Sequence, residues 1–285
     1  MITCYLMGGL GNQLFQIFTT ISYAINYKMN FKFNNCEFTG CIGKTIKRDT
    51  YWGNFLYKLK PFLISNKEFP QLKTIKEKEF AFNNLDLSYF VSDNICVYGY
   101  FQSYKYFQQF YPTIYRLLDI DTQKEKVIPL YKKTTVEYCI TVSLHFRLGD
   151  YKKITDVHPI MPYEYYKNAL QHIIKNDTSI SNILYFCEEE DITDVEIIIN
   201  KLKNDFNFNT IHIERMDNNL KDWQQMLLMS CCKHNVIANS SFSWWGAYLN
   251  TNLEKIVCYP SVWFGPKAKN DTKDMFPNVW KKIDF

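Results

Sequence analysis

The sequence predicts an α/β protein built on a parallel sheet, and two observations carry that reading. A short β-branched and apolar run at the amino terminus breaks at a glycine turn and continues into an apolar stretch of helical length. In the second half, five short apolar runs alternate with four segments of helical length. Strands separated by helices in this way argue for a parallel sheet, whose ligands sit at the carboxyl ends of its strands.

Ile2 to Met7 (ITCYLM) is the first expected strand, Gly8-Gly9-Leu10-Gly11 the turn, and Leu14 to Tyr27 the first helix. Residues 51 to 115 are dense in Tyr and Phe with scattered helical spacing, and Tyr100 to Phe107 (YFQSYKYF) reads as a turn entering a helix. Asp121 to Thr135 is polar, charged and interrupted by Pro129, so it is the expected linker, with a new unit starting at Val136. Strands follow at Tyr138 to Phe146, Ile183 to Cys187, Thr210 to Ile213, Asn235 to Ala238 and Ile256 to Tyr259. The helices between them span Pro162 to Lys175, Asp191 to Asn204, Lys221 to Cys232 and Ser243 to Leu249.

Composition bounds the function. A chain of 285 residues allows one large domain or two of about 140. Its 47% hydrophobic and 22% charged content excludes disorder and collagen. The net charge of +4, from 33 basic against 29 acidic residues, is too small for a dedicated nucleic-acid binder but compatible with an anionic small molecule. Nine cysteines form an odd set without the C-x-x-C spacing that holds zinc, and several sit in apolar runs. The amino terminus is too short for a signal-peptide core, and no apolar run approaches the roughly 18 residues of a membrane span. The simplest expectation is a cytoplasmic protein, with peripheral membrane association still compatible. Aromatics reach 17%, which core packing, a sugar-stacking surface or codon bias would each explain.

Three segments carry candidate chemistry. Gly8-Gly9-Leu10-Gly11-Asn12-Gln13 opens a helix, where backbone N–H groups approach a phosphate or sugar closely; the alternative is a structural tight turn. It does not complete a dinucleotide fingerprint, because Leu14 stands where a third Gly or Ala belongs. Leu144 to Tyr151 (LHFRLGDY) leaves a strand's carboxyl end, and the Arg147 fork suits phosphate oxygens; the alternative is a structural Arg147–Asp150 ion pair. Ile237 to Gly246 (IANSSFSWWG) offers hydroxyls and free amides where a strand ends and a helix begins; Ser243 as a plain cap of that helix is the alternative, and the two are not exclusive. Asp119-Ile120-Asp121 is a D-x-D of the metal-bridging kind, but it reads better as a solvated turn. The five histidines show no metal-ligand spacing.

Together these segments resemble the inverting α-1,2-fucosyltransferases of bacteria and viruses, soluble relatives of the blood-group H enzymes. The carrying residues are Gly8 to Gln16 (GGLGNQLFQ), His145 to Tyr151 (HFRLGDY) and Asn239 to Ala247 (NSSFSWWGA). Weaker matches lie at Gly99 to Ser103, Pro162 to Tyr166, Met229 to His234 and Tyr259-Pro260 with Trp263. The resemblance implies a GT-B-like fold of two Rossmann-like lobes with a cleft between them. Residues 1–130 would then bind the acceptor and 131–285 GDP-fucose, with a C-terminal helix packing back on the first lobe. It implies a galactose-containing glycan acceptor, no metal and no cofactor beyond the donor substrate. By the same resemblance Arg147 contacts the donor diphosphate, His145 lies by the nucleotide, and Ser241, Phe242 and Ser243 lie by the phosphates. Gly9, Gly11, Asn12 and Asn239 complete the expected donor set. Asp150 is the first candidate for general base, with a base from the amino-terminal half or a weakly assisted mechanism as the alternatives, and Asn12 could hold the donor or the glycosidic oxygen. Two departures stand out: Leu148 replaces a second Arg, and Cys187-Glu188-Glu189 replaces a Ser-Asp-Asp, which leaves Glu188 and Glu189 as the expected guanine contacts. Two other readings stay open, a transferase using another nucleotide sugar and a non-catalytic sugar-binding protein of the same fold.

Overall fold

The computed structural model describes residues 1–39, 47–131, 137–206, 211–216 and 219–285. Cys41, Val136, Thr210 and the last four residues of the expected linker lie outside them. The chain divides into two compact units, Met1–Gln123 with Asn270–Pro277, and Lys124–Lys269 with Asn278–Phe285.

In the first unit, β1 (Ile2–Cys4) leads through Gly8 and Gly9 into α1 (Leu10–Asn26). The helix therefore starts four residues earlier than Leu14, and Gly11 belongs to its first turn rather than to the loop. Of the two turn glycines only Gly8 has a positive φ, at 74°. Helix α1 is buried along most of its length from Leu10 to Ala24. Phe15 and Phe18 are fully buried and meet Phe107 with ring centroids 5.9 and 5.5 Å away. Burying each such ring stabilises the unit by about 1.5–3 kcal/mol.

Four short strands follow: β2 (Phe33–Asn34), β3 (Phe38–Thr39), β4 (Arg48–Asp49) and β5 (Leu63–Ile64). They pair locally, β2 with β5 and β3 with β4. The Tyr-rich stretch then supplies β6 (Lys73–Lys76) and β7 (Ile95–Tyr98), which join β1 in a parallel sheet of order β1-β7-β6. Only short helices follow, α2 (Tyr111–Leu117) and α3 (Ile120–Val127).

The described part of the expected linker is thus largely helix, and the division between units falls inside α3. Asp121 in its first turn and Lys124 and Lys126 in its last complement the helix dipole. Gln123 Nε2 donates to Phe55 O at 3.1 Å and Leu118 O at 2.7 Å. A polar composition that reads as a loop is here stabilised by buried side-chain hydrogen bonds.

The second unit is one six-stranded sheet. Its elements in chain order are β8 (Thr141–His145), α4 (Tyr163–Asn176), β9 (Asn182–Phe186), α5 (Ile192–Phe206), β10 (His212–Arg215) and α6 (Asp222–Met229). Then come β11 (His234–Val236), α7 (Ser241–Tyr248), β12 (Val257–Pro260) and β13 (Lys281–Ile283). The order is β10-β9-β8-β11-β12-β13 and every pair is parallel. Read in chain order this is the doubly wound 3-2-1-4-5-6 arrangement, whose direction reverses between β8 and β11. The last element is a strand paired with β12, so the expected C-terminal helix is absent among the described residues.

Alternation along the strands assigns the two faces. Val142, Leu144, Ile183 and Val236 enter one apolar cluster with Tyr165, Leu170 and Ile173 of α4 and Val195 and Ile199 of α5. Ser143 and Asn235 point the other way and are buried too. Asn235 Nδ2 donates to Ser143 Oγ at 2.7 Å and to Met229 O, at the end of α6, at 2.8 Å. Its Oδ1 accepts from Asn250 at 2.9 Å, so the polar pair ties β8 and β11 to the α6–α7 side.

Candidate active site

The second unit's candidate residues converge at the reversal point. Strand β8 ends at His145, and the chain turns through Arg147 into a short 3₁₀ segment, Gly149–Lys153. The Arg147 guanidinium is gripped from two sides, Nη2 donating to Asp150 Oδ1 at 2.5 Å and Nη1 to Glu188 Oε1. It also lies 5.1 Å from the centre of the Tyr151 ring, whose hydroxyl donates to Asn239 O at 3.2 Å. Burial works against the Arg147 charge, but the Glu188 and Asp150 carboxylates outweigh it and raise the pKa above the ordinary arginine value.

Glu188 therefore meets Arg147 and not solvent alone. Glu189 beside it is exposed and makes no such contact. Gly149 has φ 35°, and a Cβ there would fall 2.4 Å from Glu188 Oε2, so the clamp requires glycine at this point. Leu148, where the resembled family has a second Arg, is buried in the apolar cluster.

Sequence reasoning missed what anchors this loop. Asp191 is 1% exposed and accepts from Gly149 N at 2.6 Å and from Lys152 Nζ at 2.7 Å. An acidic residue at the start of a helix reads as an end signal, and nothing in its position announces a partner 42 residues away.

His145 is buried against Phe242, with ring centroids 5.6 Å apart. Burial, helped by the Arg147 charge, pushes its pKa down to about 3, so the imidazole is neutral at physiological pH. Its Nδ1 is buried without a hydrogen-bond partner among the described residues. Asn239 is likewise buried; its Nδ2 donates to Pro159 O at 2.8 Å and Trp263 O at 3.1 Å, and its Oδ1 has no partner among the described residues.

Helix α7 begins at Ser241, and its cap is Ser240, not Ser243. Ser240 Oγ accepts from Phe242 N at 3.3 Å. Ser243 is buried, and its hydroxyl donates back to Ala238 O and Ser240 O, both at 3.3 Å. What Ser241 and Ser243 offer is backbone N–H at a helix start, a group with no intrahelical acceptor and a favourable place for an anion. Trp244 and Trp245 are fully buried and belong to the core.

In the first unit, the amides of Leu10, Gly11 and Asn12 form the corresponding start of α1 after the Gly9 cap. Gln13 is fully buried and structural, donating to Gly8 O at 3.1 Å and Asp49 O at 2.8 Å. Asn12 is half-buried and accepts from Gln102 Nε2 at 2.8 Å. The D-x-D carboxylates serve local structure: Asp119 accepts from Tyr57 at 3.2 Å and Asp121 from Tyr115 at 2.5 Å. Among the described residues no cluster of three or more His, Cys, Asp or Glu is placed to hold a metal ion, and no helix is long and apolar enough to cross a membrane.

Comparison with known proteins converges on one group. The chain is 28% identical to the O-antigen biosynthesis glycosyltransferase WbnK of Escherichia coli, covering 98% of this chain and 100% of the relative. It is 26% identical to an alpha-1,2-colitosyltransferase of Escherichia coli, covering 99% of each. Among solved structures, a mutant of Arabidopsis thaliana FUT1 in complex with GDP superposes with a TM-score of 0.52 at 11% identity, over 90% of this chain and 69% of that one. That likeness bears on the fold and agrees with the GT-B-like α/β class expected from the sequence. The profile of glycosyl transferase family 11 matches residues 1–284. Spanning essentially the whole chain, that match makes the protein a glycosyltransferase of family 11.

Proposed function

We propose that the protein transfers L-fucose from GDP-fucose to a galactoside hydroxyl of a glycan, forming an α-1,2 linkage with inversion and without a metal. The observation that carries this is the preorganised Arg147, held by Asp150 and Glu188 at the point where the sheet order reverses. Breaking the anomeric bond leaves negative charge on the β-phosphate of GDP. A fixed guanidinium and the Ser241 and Ser243 amides are donors of the kind that stabilise such charge, and losing one costs about 10²- to 10³-fold in rate. Attack by the acceptor hydroxyl from the opposite face forms the new C1–O bond with inversion as the bond to GDP breaks, and the hydroxyl proton passes to a base from the amino-terminal half or to solvent.

The geometry bears on two further assignments. Asp150 Oδ1 is engaged by Arg147 Nη2 at 2.5 Å, so we assign Asp150 to orienting the guanidinium rather than to general-base work. Neutral His145 and the Asn239 Oδ1 are assigned to hydrogen bonds with the donor. Glu188 is assigned to Arg147 in place of guanine, and Glu189 keeps the expected nucleotide role only through its exposed position.

The likeness to a colitosyltransferase favours a second reading, in which the transferred sugar is colitose on the same scaffold. A thermal-shift panel of GDP, UDP and dTDP sugars, followed by turnover of GDP-fucose against activated colitose on a glycan array, separates the two. Stabilisation by UDP or dTDP sugars but not by GDP sugars would reject the donor assignment.

A further inference from the structure

The first unit contains a strained turn that no expected role explains. Phe101 is fully buried at φ 52°, a left-handed conformation that costs energy for a bulky residue. The turn is pinned by one carboxylate: Glu77, just beyond β6, accepts from Tyr100 N at 2.7 Å and from Phe101 N at 3.0 Å. Its own N–H donates to Tyr98 O at 2.9 Å, which fixes it to the end of β7. Gly99 leaves the room, since a Cβ there would lie 2.4 Å from Glu77 Cβ and 2.5 Å from Oε2.

The turn delivers Gln102, which is 8% exposed, to Asn12. Gln102 Nε2 donates to Asn12 Oδ1 at 2.8 Å, so the Asn12 amide is held with its oxygen occupied. Asn12 Nδ2 lies directly over Gly8, where a Cβ would come within 2.4 Å of it. Two glycines thus make room at the two ends of one relay, Glu77 at Gly99 and Asn12 at Gly8. The Asn12 group with no partner among the described residues is its N–H₂, beside the bare amides that start α1.

We infer that Glu77 is a positioning residue: acting through the 99–103 turn and Gln102, it fixes the Asn12 side chain as a hydrogen-bond donor toward an oxygen of the bound sugar. The kinetic consequence rests on the fucosyl-transfer reading above; the geometric one does not. A neutral amide at 77 can accept from only one of the two N–H groups and presents its own N–H₂ to the other.

The test uses the full chain and the variants Glu77→Gln, Gln102→Ala, Asn12→Ala and Glu77→Gln with Asn12→Ala. Glu77→Gln and Gln102→Ala are expected to lower kcat about 10-fold, the loss of one oriented hydrogen bond, with KM for GDP-fucose within about twofold of wild type. Combining Glu77→Gln with Asn12→Ala is expected to add nothing to the Asn12→Ala loss. Independent of turnover, the Asn12 side-chain amide resonance, assigned by its absence in Asn12→Ala, is expected to shift in both Glu77→Gln and Gln102→Ala. Additive losses, or an unmoved Asn12 resonance, overturn the relay. Should Glu77→Gln fail to fold, Glu77→Asp, which keeps the charge but shortens the reach to the Tyr100 and Phe101 amides, carries both readouts. A wild-type protein inert toward GDP-fucose rejects the functional reading, while the resonance shift still decides the role of Glu77.

Discussion

Replacing Arg147 by alanine separates catalysis from folding. Its side chain is 19% exposed, whereas its partners Asp150 and Glu188 are 43% and 46% exposed and can rehydrate once the guanidinium is gone. Ion pairs of that exposure contribute about 0–1 kcal/mol, and the contact with Tyr151 about 0.5–1 kcal/mol. The expected stability loss is therefore about 0.5–3 kcal/mol, a drop of a few degrees in Tm. The expected loss of transition-state stabilisation is larger, about 2.7–4 kcal/mol, or 10²- to 10³-fold in turnover. The assay is GDP release from GDP-fucose with a glycan acceptor, run beside a thermal melt of the same preparation. Arg147→Lys keeps the charge but loses the two-armed grip, and it should fall between wild type and alanine. Retention by Arg147→Ala of more than about a tenth of wild-type turnover would refute the charge-stabilising role.

Other consequences follow from the same geometry. His145 has a pKa pushed down to about 3 in the folded protein and about 6.5 when unfolded, so the unfolded chain takes the proton first as pH falls. Stability should therefore decline from about pH 6.5 towards 3, by up to about 1.4 kcal/mol per pH unit from this residue, and His145→Phe should flatten the decline in pH-dependent urea unfolding. Gly149→Ala forces a side chain at φ 35° and pushes Glu188 from Arg147; a cost of about 1–3 kcal/mol and a clear fall in turnover are expected, and unchanged kinetics would argue against the clamp. Turnover in excess EDTA should equal that without it; a loss restored by Mn²⁺ would return Asp119 and Asp121 to consideration.

Much of the second unit was legible because its signals are local. Among the described residues, five of its six strands and all four of its helices lie within a few residues of the apolar runs that announce them. The first unit was harder to read. Strands β6 and β7 are only four residues each and sit in an aromatic-rich stretch whose spacing imitates helix. Helix α3 was hidden by a composition that looks like a loop until Gln123 and Lys124 find backbone carbonyls, the latter Leu249 O at 2.6 Å. Helix starts were displaced for a similar reason: Ser240 and Gly9 become caps only through backbone geometry, which residue type constrains weakly.

The candidate site divides along the same line. Sequence alone determined that Arg147 leaves a strand end, that Asp150 stands three residues on, and that a Ser-rich segment opens a helix, since each depends on neighbours in the chain. Tertiary structure decided that Glu188 faces Arg147, that Asp191 holds the loop, and that Glu77 reaches the turn beside Asn12. The physical reason is strand pairing: β8 and β9 run in register, His145 opposite Phe186, about 4.8 Å apart. Residues two beyond each strand end are thereby brought together although 41 positions separate Arg147 from Glu188.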